Sequence, residues 1–123
     1  MAHVYEQNTA KLAGADLSDK QFYFVKVDGN DEFVLCSAIT DRAFGVLQNN
    51  PEQGQEANVQ TIGNTKIVGT VALSLDDVVA PATTGKAQVG IATQFGAGIV
   101  VTATSADEKI GVIKLINDAA AIA

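Results

Sequence analysis

The 123-residue sequence predicts an all-β protein: a small compact body of β-barrel or β-sandwich type, with an extended N-terminal arm and little helix. Short runs rich in Val, Ile, Phe and Thr recur along the chain, and Gly, Asn and Asp separate them. The Ala-rich segment 117–123 is short enough to be marginal as a helix in water. We therefore expect about eight strands and at most one or two helical turns.

The N-terminal segment differs from the rest of the chain. Residues 2 to 18 are polar and small, without a sustained apolar period, and this pattern predicts an extended arm over 1–18. The remainder, 19–123, is expected to form a single β-rich domain with a short C-terminal tail, large enough to bury its own core. Because the arm lacks an apolar period, we expect that it does not pack on its own domain and that deleting it changes the melting temperature little.

The first strands of the body are predicted from apolar runs and turn residues. A strand over 21–27 has apolar side chains on both faces, so both faces should be covered. The turn Asp28-Gly29-Asn30-Asp31 leads to a partner strand over 32–37. A strand over 43–48 then precedes the polar loop 49–55.

The next two runs predict a hairpin. Val59–Ile62 and Thr65–Val68 are separated by Gly63-Asn64, a connection that suits a type II′ turn in which Gly takes a positive φ. Ser74 could cap a helical turn over Leu75–Val78 by accepting a hydrogen bond from the amide of Asp77. The remaining predicted strands are 67–73, 88–93, 99–104 and 110–116.

Four residues hint at an internal duplication. Phe44-Gly45-Val46-Leu47 is similar to Ile110-Gly111-Val112-Ile113, although so short a likeness does not establish a repeat.

Charge and composition exclude several classes of protein. The formal net charge of −6 opposes binding to phosphate backbones, so we expect no nucleic-acid partner. No apolar run approaches the ~20 residues of a membrane span, and the N-terminus lacks the pattern of a signal peptide. The single cysteine cannot form an internal disulfide, which fits synthesis in a reducing cytoplasm.

Candidate catalytic and binding motifs are incomplete. The only histidine, His3, lies near a terminus, where nothing in the sequence holds it against a partner. Cys36 has no basic neighbour in sequence that would lower its pKa. The acidic turn 28–32 has Phe33 where a calcium loop requires Gly, and Asp76-Asp77 alone rarely makes a metal site.

The glycine-rich stretches are equally incomplete. Gly96-Ala97-Gly98 leads into a strand, and Gly85-Lys86 lacks the first glycine of a phosphate-binding loop. We therefore expect no catalytic residue, no metal, no cofactor and no enzymatic activity.

The order and spacing of several segments resemble the small capsid decoration, or cement, proteins of tailed bacteriophages. The segments are Phe44–Asn49, the loop 51–57 with the predicted hairpin that follows it, Val79-Ala80-Pro81, and Gly85-Lys86-Ala87. The resemblance extends over roughly residues 14 to 116 and implies a β-rich protein bound on the outside of an icosahedral shell, often as a trimer, with no catalytic residues.

The resemblance implies a structural virion protein, made in the bacterial cytoplasm and placed on the outer capsid surface. Its expected partners are the phage major capsid protein and itself, as a homotrimer, and it would stabilise the shell by bridging coat subunits. We expect the arm to supply capsid contacts through His3, Val4, Tyr5 and Leu12. Two alternatives remain open: a tail or head-fibre subunit of the virion, or a non-viral β-domain that binds carbohydrate or serves as a carrier.

Overall fold

The computed structural model describes residues 7–39, 41–70, 73–90, 96–102 and 110–115. Within these ranges the chain has ten β-strands and no helix, which confirms the predicted all-β fold. The strands are β1 (Gln7–Leu12), β2 (Phe24–Val27), β3 (Phe33–Leu35), β4 (Gly45–Leu47), β5 (Glu56–Ile62), β6 (Asn64–Val68), β7 (Val78–Pro81), β8 (Ala87–Val89), β9 (Gly98–Thr102) and β10 (Ile110–Leu115).

The strands form two five-stranded antiparallel sheets with the same topology. Their orders are β1-β5-β4-β2-β3 and β6-β10-β9-β7-β8. Immediately after β1, Ala13 forms a bridge to Phe33 on the opposite edge strand β3, and immediately after β6, Gly69 forms a bridge to Ala87 on β8. Each sheet therefore curls round towards closure. We call residues 7–62 the first module and residues 64–115 the second module.

Backbone details repeat between the modules. Gly14 N donates to Phe33 O at 2.8 Å in the first module, and Thr70 N donates to Ala87 O at 2.8 Å in the second. Two residues before β2 and β7, the backbone has a positive φ at a residue other than glycine, 69° at Phe22 and 67° at Asp76. Because such values are uncommon outside glycine, their recurrence at equivalent positions marks the modules as two copies of one structure.

A duplication, at which the four-residue likeness only hinted, is therefore present, but in another register. Gly45 begins β4 and pairs with Val25, and Gly98 begins β9 and pairs with Val79. Strand β4 thus corresponds to β9, whereas the sequence likeness had matched β4 with β10. A Cβ atom on either glycine would lie within 2.7 Å of the adjacent strand, which explains why glycine occupies both positions.

The two modules have different cores. The interior of the first module is one buried cluster, formed by Ala13, Leu17, Val25, Phe33, Leu47, Ala57 and Val59. The second cluster combines the interior of the second module with three side chains from the first: Phe24, Cys36 and Val46 join Ile67, Leu73, Val79, Ala87, Ala97, Val100 and Ile113. The part of the first sheet that carries these three side chains is therefore buried against the second module.

The predicted arm is extended where the structure describes it, but it packs on the body. Strand β1 pairs with β5 along its whole length, and the following residues Ala13 and Leu17 are 0% and 1% exposed. The expectation that residues 2–18 do not pack on their own domain is therefore wrong for residues 7–18. The pattern was missed because only two apolar side chains enter the core, four residues apart and after the strand has ended.

The predicted hairpin is wrong. Strand β5 pairs with β1 and β4, whereas β6 pairs with β10 in the other sheet. The predicted positive φ of Gly63 is correct at 97°, but this residue passes the chain from one module to the next. The two-residue connection Gly63-Asn64 is thus a junction between sheets and not a turn within one sheet.

Other predicted strands are found with shorter bounds. Strand β2 begins at Phe24 rather than residue 21, and its adjacent side chains Phe24 and Val25 are both fully buried, so both faces are covered as predicted. The turn 28–31 is confirmed by the pairing of β2 with β3. Strand β7 was not predicted, because its Pro81 and the preceding Asp76-Asp77 resembled a turn.

Candidate interaction surfaces

Within the described ranges, no three His, Cys, Asp or Glu side chains lie close enough together to hold a metal ion. Cys36 is buried, Asp76 is exposed, and the carboxylate of Asp77 accepts a hydrogen bond from the amide of Ser74 at 2.9 Å. The turn at Ser74 thus exists, with Asp77 rather than Ser74 supplying the side-chain acceptor.

In the part of the chain with described structure, no helix is long and apolar enough to cross a membrane.

One carboxylate organises the loop between β3 and β4. Oδ2 of Asp41 accepts hydrogen bonds from Nζ of Lys26 at 2.8 Å, from the amide of Ser37 at 2.7 Å and from the amide of Ala38 at 3.0 Å. Burial acts to raise the pKa of Asp41, but these three donors outweigh it and lower the pKa below its ordinary value. The arrangement holds Lys26, Ser37 and Ala38 against the carboxylate of Asp41.

Cys36 lies at the contact between the two modules. Burial is the main cause that raises the pKa of the Cys36 thiol to about 12, the charge of Asp41 raises it further, and Lys26 partly offsets both. A thiol with such a pKa is protonated at neutral pH and is a poor nucleophile. Cys36 is therefore a packing residue of the module interface.

Backbone and side-chain hydrogen bonds join the modules. Phe24 N donates to Gly85 O at 2.7 Å, and Val68 N donates to Phe22 O at 3.0 Å. Nε2 of Gln48 donates to Oγ1 of Thr65 at 2.8 Å. These bonds accompany the apolar contact that Phe24, Cys36 and Val46 make with the second module.

A buried glutamine fixes the junction between the modules. The side chain of Gln60 is 4% exposed, and its Nε2 donates to Ile62 O at 3.0 Å and to Asn64 O at 2.8 Å. These two acceptors flank Gly63, where the chain changes sheets. The relative position of the modules is thus determined by specific hydrogen bonds as well as by apolar packing.

Apolar side chains that are exposed or half-buried form two surfaces, one on each module. On the first module, Leu12 is 53% exposed and Phe44 is 40% exposed, with the Phe44 ring 5.2 Å from the buried ring of Phe33. We call Leu12 and Phe44 the first-module surface; the equivalent residues of the second module, Val68 and Ala97, lie at the contact between the modules.

The other surface is on the second module. We call Val78 and Ile99 the second-module surface. Both are half-buried, and they pair with each other across β7 and β9. They correspond to Phe24 and Val46, the residues of β2 and β4 that are buried against the second module.

Of the four predicted contact residues, the structure describes Leu12 alone. It lies at the end of β1 with its side chain exposed, as a contact residue requires. His3, Val4 and Tyr5 lie outside the described residues. Sequence reasoning missed Phe44 and Ile99 because each occurs in a run that also contains buried apolar residues; the signal that reveals them is the duplication in its correct register.

No protein-family model matches this chain, and no curated protein matches it. Among solved structures, the fold is similar to the crystal structure of the head fiber gp8.5 N base in bacteriophage phi29. The TM-score is 0.62 at 12% sequence identity, and the likeness covers 92% of this chain and 96% of that chain. At this identity the comparison shows a shared fold over almost the whole length of both chains.

Proposed function

We propose that the protein is a structural component of a tailed-bacteriophage virion, bound to the outer surface of the assembled capsid. The observation that carries the proposal is the fold shared, over 92% of the chain, with a protein described as the N base of a phage head fiber. The resemblance of the sequence to capsid decoration proteins supports the same assignment independently.

Capsid stabilisation needs no catalytic chemistry. A protein that binds the assembled shell and not the separated subunits shifts the equilibrium towards assembly by mass action. Bridging of adjacent major capsid protein subunits would produce this preference, because the bridged site exists only on the shell. The role requires no enzymatic activity, cofactor, nucleic acid or membrane, and a net charge of −6 would keep decorated particles apart in solution.

Self-association is part of the proposal, with a homotrimer as the proposed state. The apolar side chains on both faces of β2 do not themselves require a second copy, since the second module and the first-module core cover the two faces. Support comes instead from the first-module and second-module surfaces. A trimer would bind the shell through three copies of each contact and would gain avidity.

A second candidate function is the base subunit of a head fibre. The fold of the phi29 head fiber N base favours it specifically. The two functions agree on the attachment to the capsid exterior and differ in whether the protein also carries a projecting fibre. Electron microscopy of the native particle distinguishes them, since a fibre would extend outwards from the density of this chain.

The test is binding to undecorated capsids. We expect the purified protein to cosediment with capsids and to raise the temperature at which they disassemble, and not to bind unassembled coat subunits. A variant lacking residues 2–6 tests the proposed contacts of His3, Val4 and Tyr5, with the substitution Gln53→Ala in an exposed loop as a control. Failure of the intact protein to bind capsids under any condition would overturn the proposed function.

A further inference from the structure

We propose that the second-module surface of one chain binds the first-module surface of another copy, so that copies associate head to tail in the geometry that joins the two modules within a chain. This deepens the proposed self-association and rests on it. The occupant of each surface is a second copy of this protein.

The first argument is the equivalence of the modules. Phe24, Cys36 and Val46 of the first module are buried against the second module. The equivalent residues of the second module are Val78, Gly90 and Ile99: the amide of Cys36 donates to Phe24 O at 3.2 Å, and the amide of Gly90 donates to Val78 O at 2.8 Å. A contact between two different faces of the same unit is heterologous, and it can be repeated by each further unit.

The second argument is complementary size. Within a chain, the large Phe24 lies in one cluster with the small Ala87 and Ala97. At the proposed contact between chains, Val78 replaces Phe24. Opposite it, the exposed Phe44 of the first module is at the position of Ala97, while Phe33, at the position of Ala87, is already buried in the first-module core. The smaller Val78 would thus face the larger Phe44, which favours dense packing at the contact between chains.

The third argument concerns charge. In the first module, Lys11 replaces the buried Ile67 and forms an ion pair of 2.7 Å with Asp31, which replaces Gly85. The approaching second module carries Asp76 and Asp77 at the positions of Phe22 and Tyr23. Lys11 would therefore meet carboxylates at the rim of the contact. This rim is more polar than the contact within the chain, so we expect reversible association that strengthens when copies are concentrated on a capsid.

Cross-linking tests the geometry directly. Within a chain Gln48 contacts Thr65. Val101 is the equivalent of Gln48 in the second module, and Thr9 is the equivalent of Thr65 in the first module. The same geometry between chains therefore predicts that Val101 of one copy lies close to Thr9 of the next. We would prepare Thr9→Cys, Val101→Cys and the double variant, and treat them at high concentration with a short bifunctional thiol reagent, without capsids. Cys36 is buried in every variant and serves as the background.

A heterologous contact gives a distinct pattern. Neither single variant should cross-link alone, an equal mixture of the two should give only a dimer, and the double variant should give cross-linked dimers and trimers. Adding Ile99→Lys to the double variant should abolish cross-linking, whereas Ile62→Lys, at an exposed site 47% accessible at the far end of β5, should retain it. Circular dichroism establishes that each variant is folded.

Two results would overturn the inference: cross-linking of a single variant to itself, or a folded double variant that stays uncross-linked at the highest attainable concentration. Because no capsid is present, either result is independent of capsid binding. A protein that binds capsids but fails here would retain the proposed function and lose the head-to-tail contact.

Discussion

The amide of Phe24 donates a hydrogen bond to the carbonyl oxygen of Gly85 at 2.7 Å, and this bond joins two copies of the same five-stranded module. Gly85 has a φ of 84°, and a Cβ atom there would lie 3.3 Å from Phe24 O and 3.3 Å from Cδ2 of Leu35. The turn that receives Phe24 therefore depends on glycine for its backbone conformation and for the close approach of the other module.

Gly85→Ala should weaken the contact between the modules. The positive φ alone costs about 1 kcal/mol or more for alanine, and the added methyl group also presses on the first module. Gly54→Ala is the matched control, because Gly54 has a φ of 85° but nothing lies within 4 Å of the Cβ position. We expect denaturant titration to show a larger loss of unfolding free energy for Gly85→Ala. Equal losses would mean that the close approach contributes nothing.

Leu17→Ala should strongly destabilise the protein, because Leu17 is 1% exposed in the first-module core. Truncation of a buried leucine costs about 2–5 kcal/mol. Leu12→Ala is the control: it lies in the same predicted arm but is 53% exposed, so its melting temperature should change little. For the same reason, deletion of residues 2–18 should prevent stable folding. Similar melting temperatures for both leucine variants would restore the view of residues 7–18 as a separate arm.

The sequence predicted most of the strands because their local signals agree with their final positions. Runs such as Val46-Leu47 and Val100-Val101 have high β-propensity, and the acidic turn before Phe33 contains residues that favour turns. The all-β class follows from such local patterns. The apolar side chains on both faces of the predicted strand 21–27 also indicated that Phe24 and Val25 are covered on opposite faces, and both are fully buried.

The pairing of strands and the candidate surfaces could not be predicted in the same way. Nothing local to Gly63 distinguishes a hairpin turn from a junction between sheets; the difference arises from the distant partners β1 and β10. The duplication was obscured because equivalent positions hold different side chains, with Phe33 equivalent to Ala87. These differences follow from the packing of one module on the other, which requires the tertiary structure.

Asp41→Asn should make the protein less stable at neutral pH and remove part of its acid sensitivity. The lowered pKa means that the Asp41 carboxylate stabilises the folded state above its unfolded pKa of about 3.9, and this contribution is lost as the pH falls through the lower folded value. The stability difference between the two proteins should therefore be largest near pH 7 and diminish below about pH 4.

Thermal unfolding of both proteins from pH 3 to 7 provides the measurement. Asp31→Asn is the control, since the Asp31 side chain is 79% exposed and its ion pair with Lys11 is a surface pair of small energy. A constant difference between the wild-type protein and Asp41→Asn at all pH values would contradict the role assigned to the charge of Asp41.

The reactivity of Cys36 should report the separation of the modules. Its thiol is buried at their contact with a pKa raised to about 12, so a chromogenic disulfide reagent should label the native protein slowly at pH 8 and the unfolded protein rapidly. The raised pKa keeps the folded thiol neutral while the unfolded thiol ionises above about pH 8.5, so folding stability should also decline as the pH rises beyond that value.

Gly85→Ala should accelerate the labelling of Cys36, because it weakens the contact that covers Cys36. Leu17→Ala acts on the other core and should accelerate labelling less, although it lowers the global stability more. If labelling instead followed global stability in both variants, the modules would separate only when the whole protein unfolds.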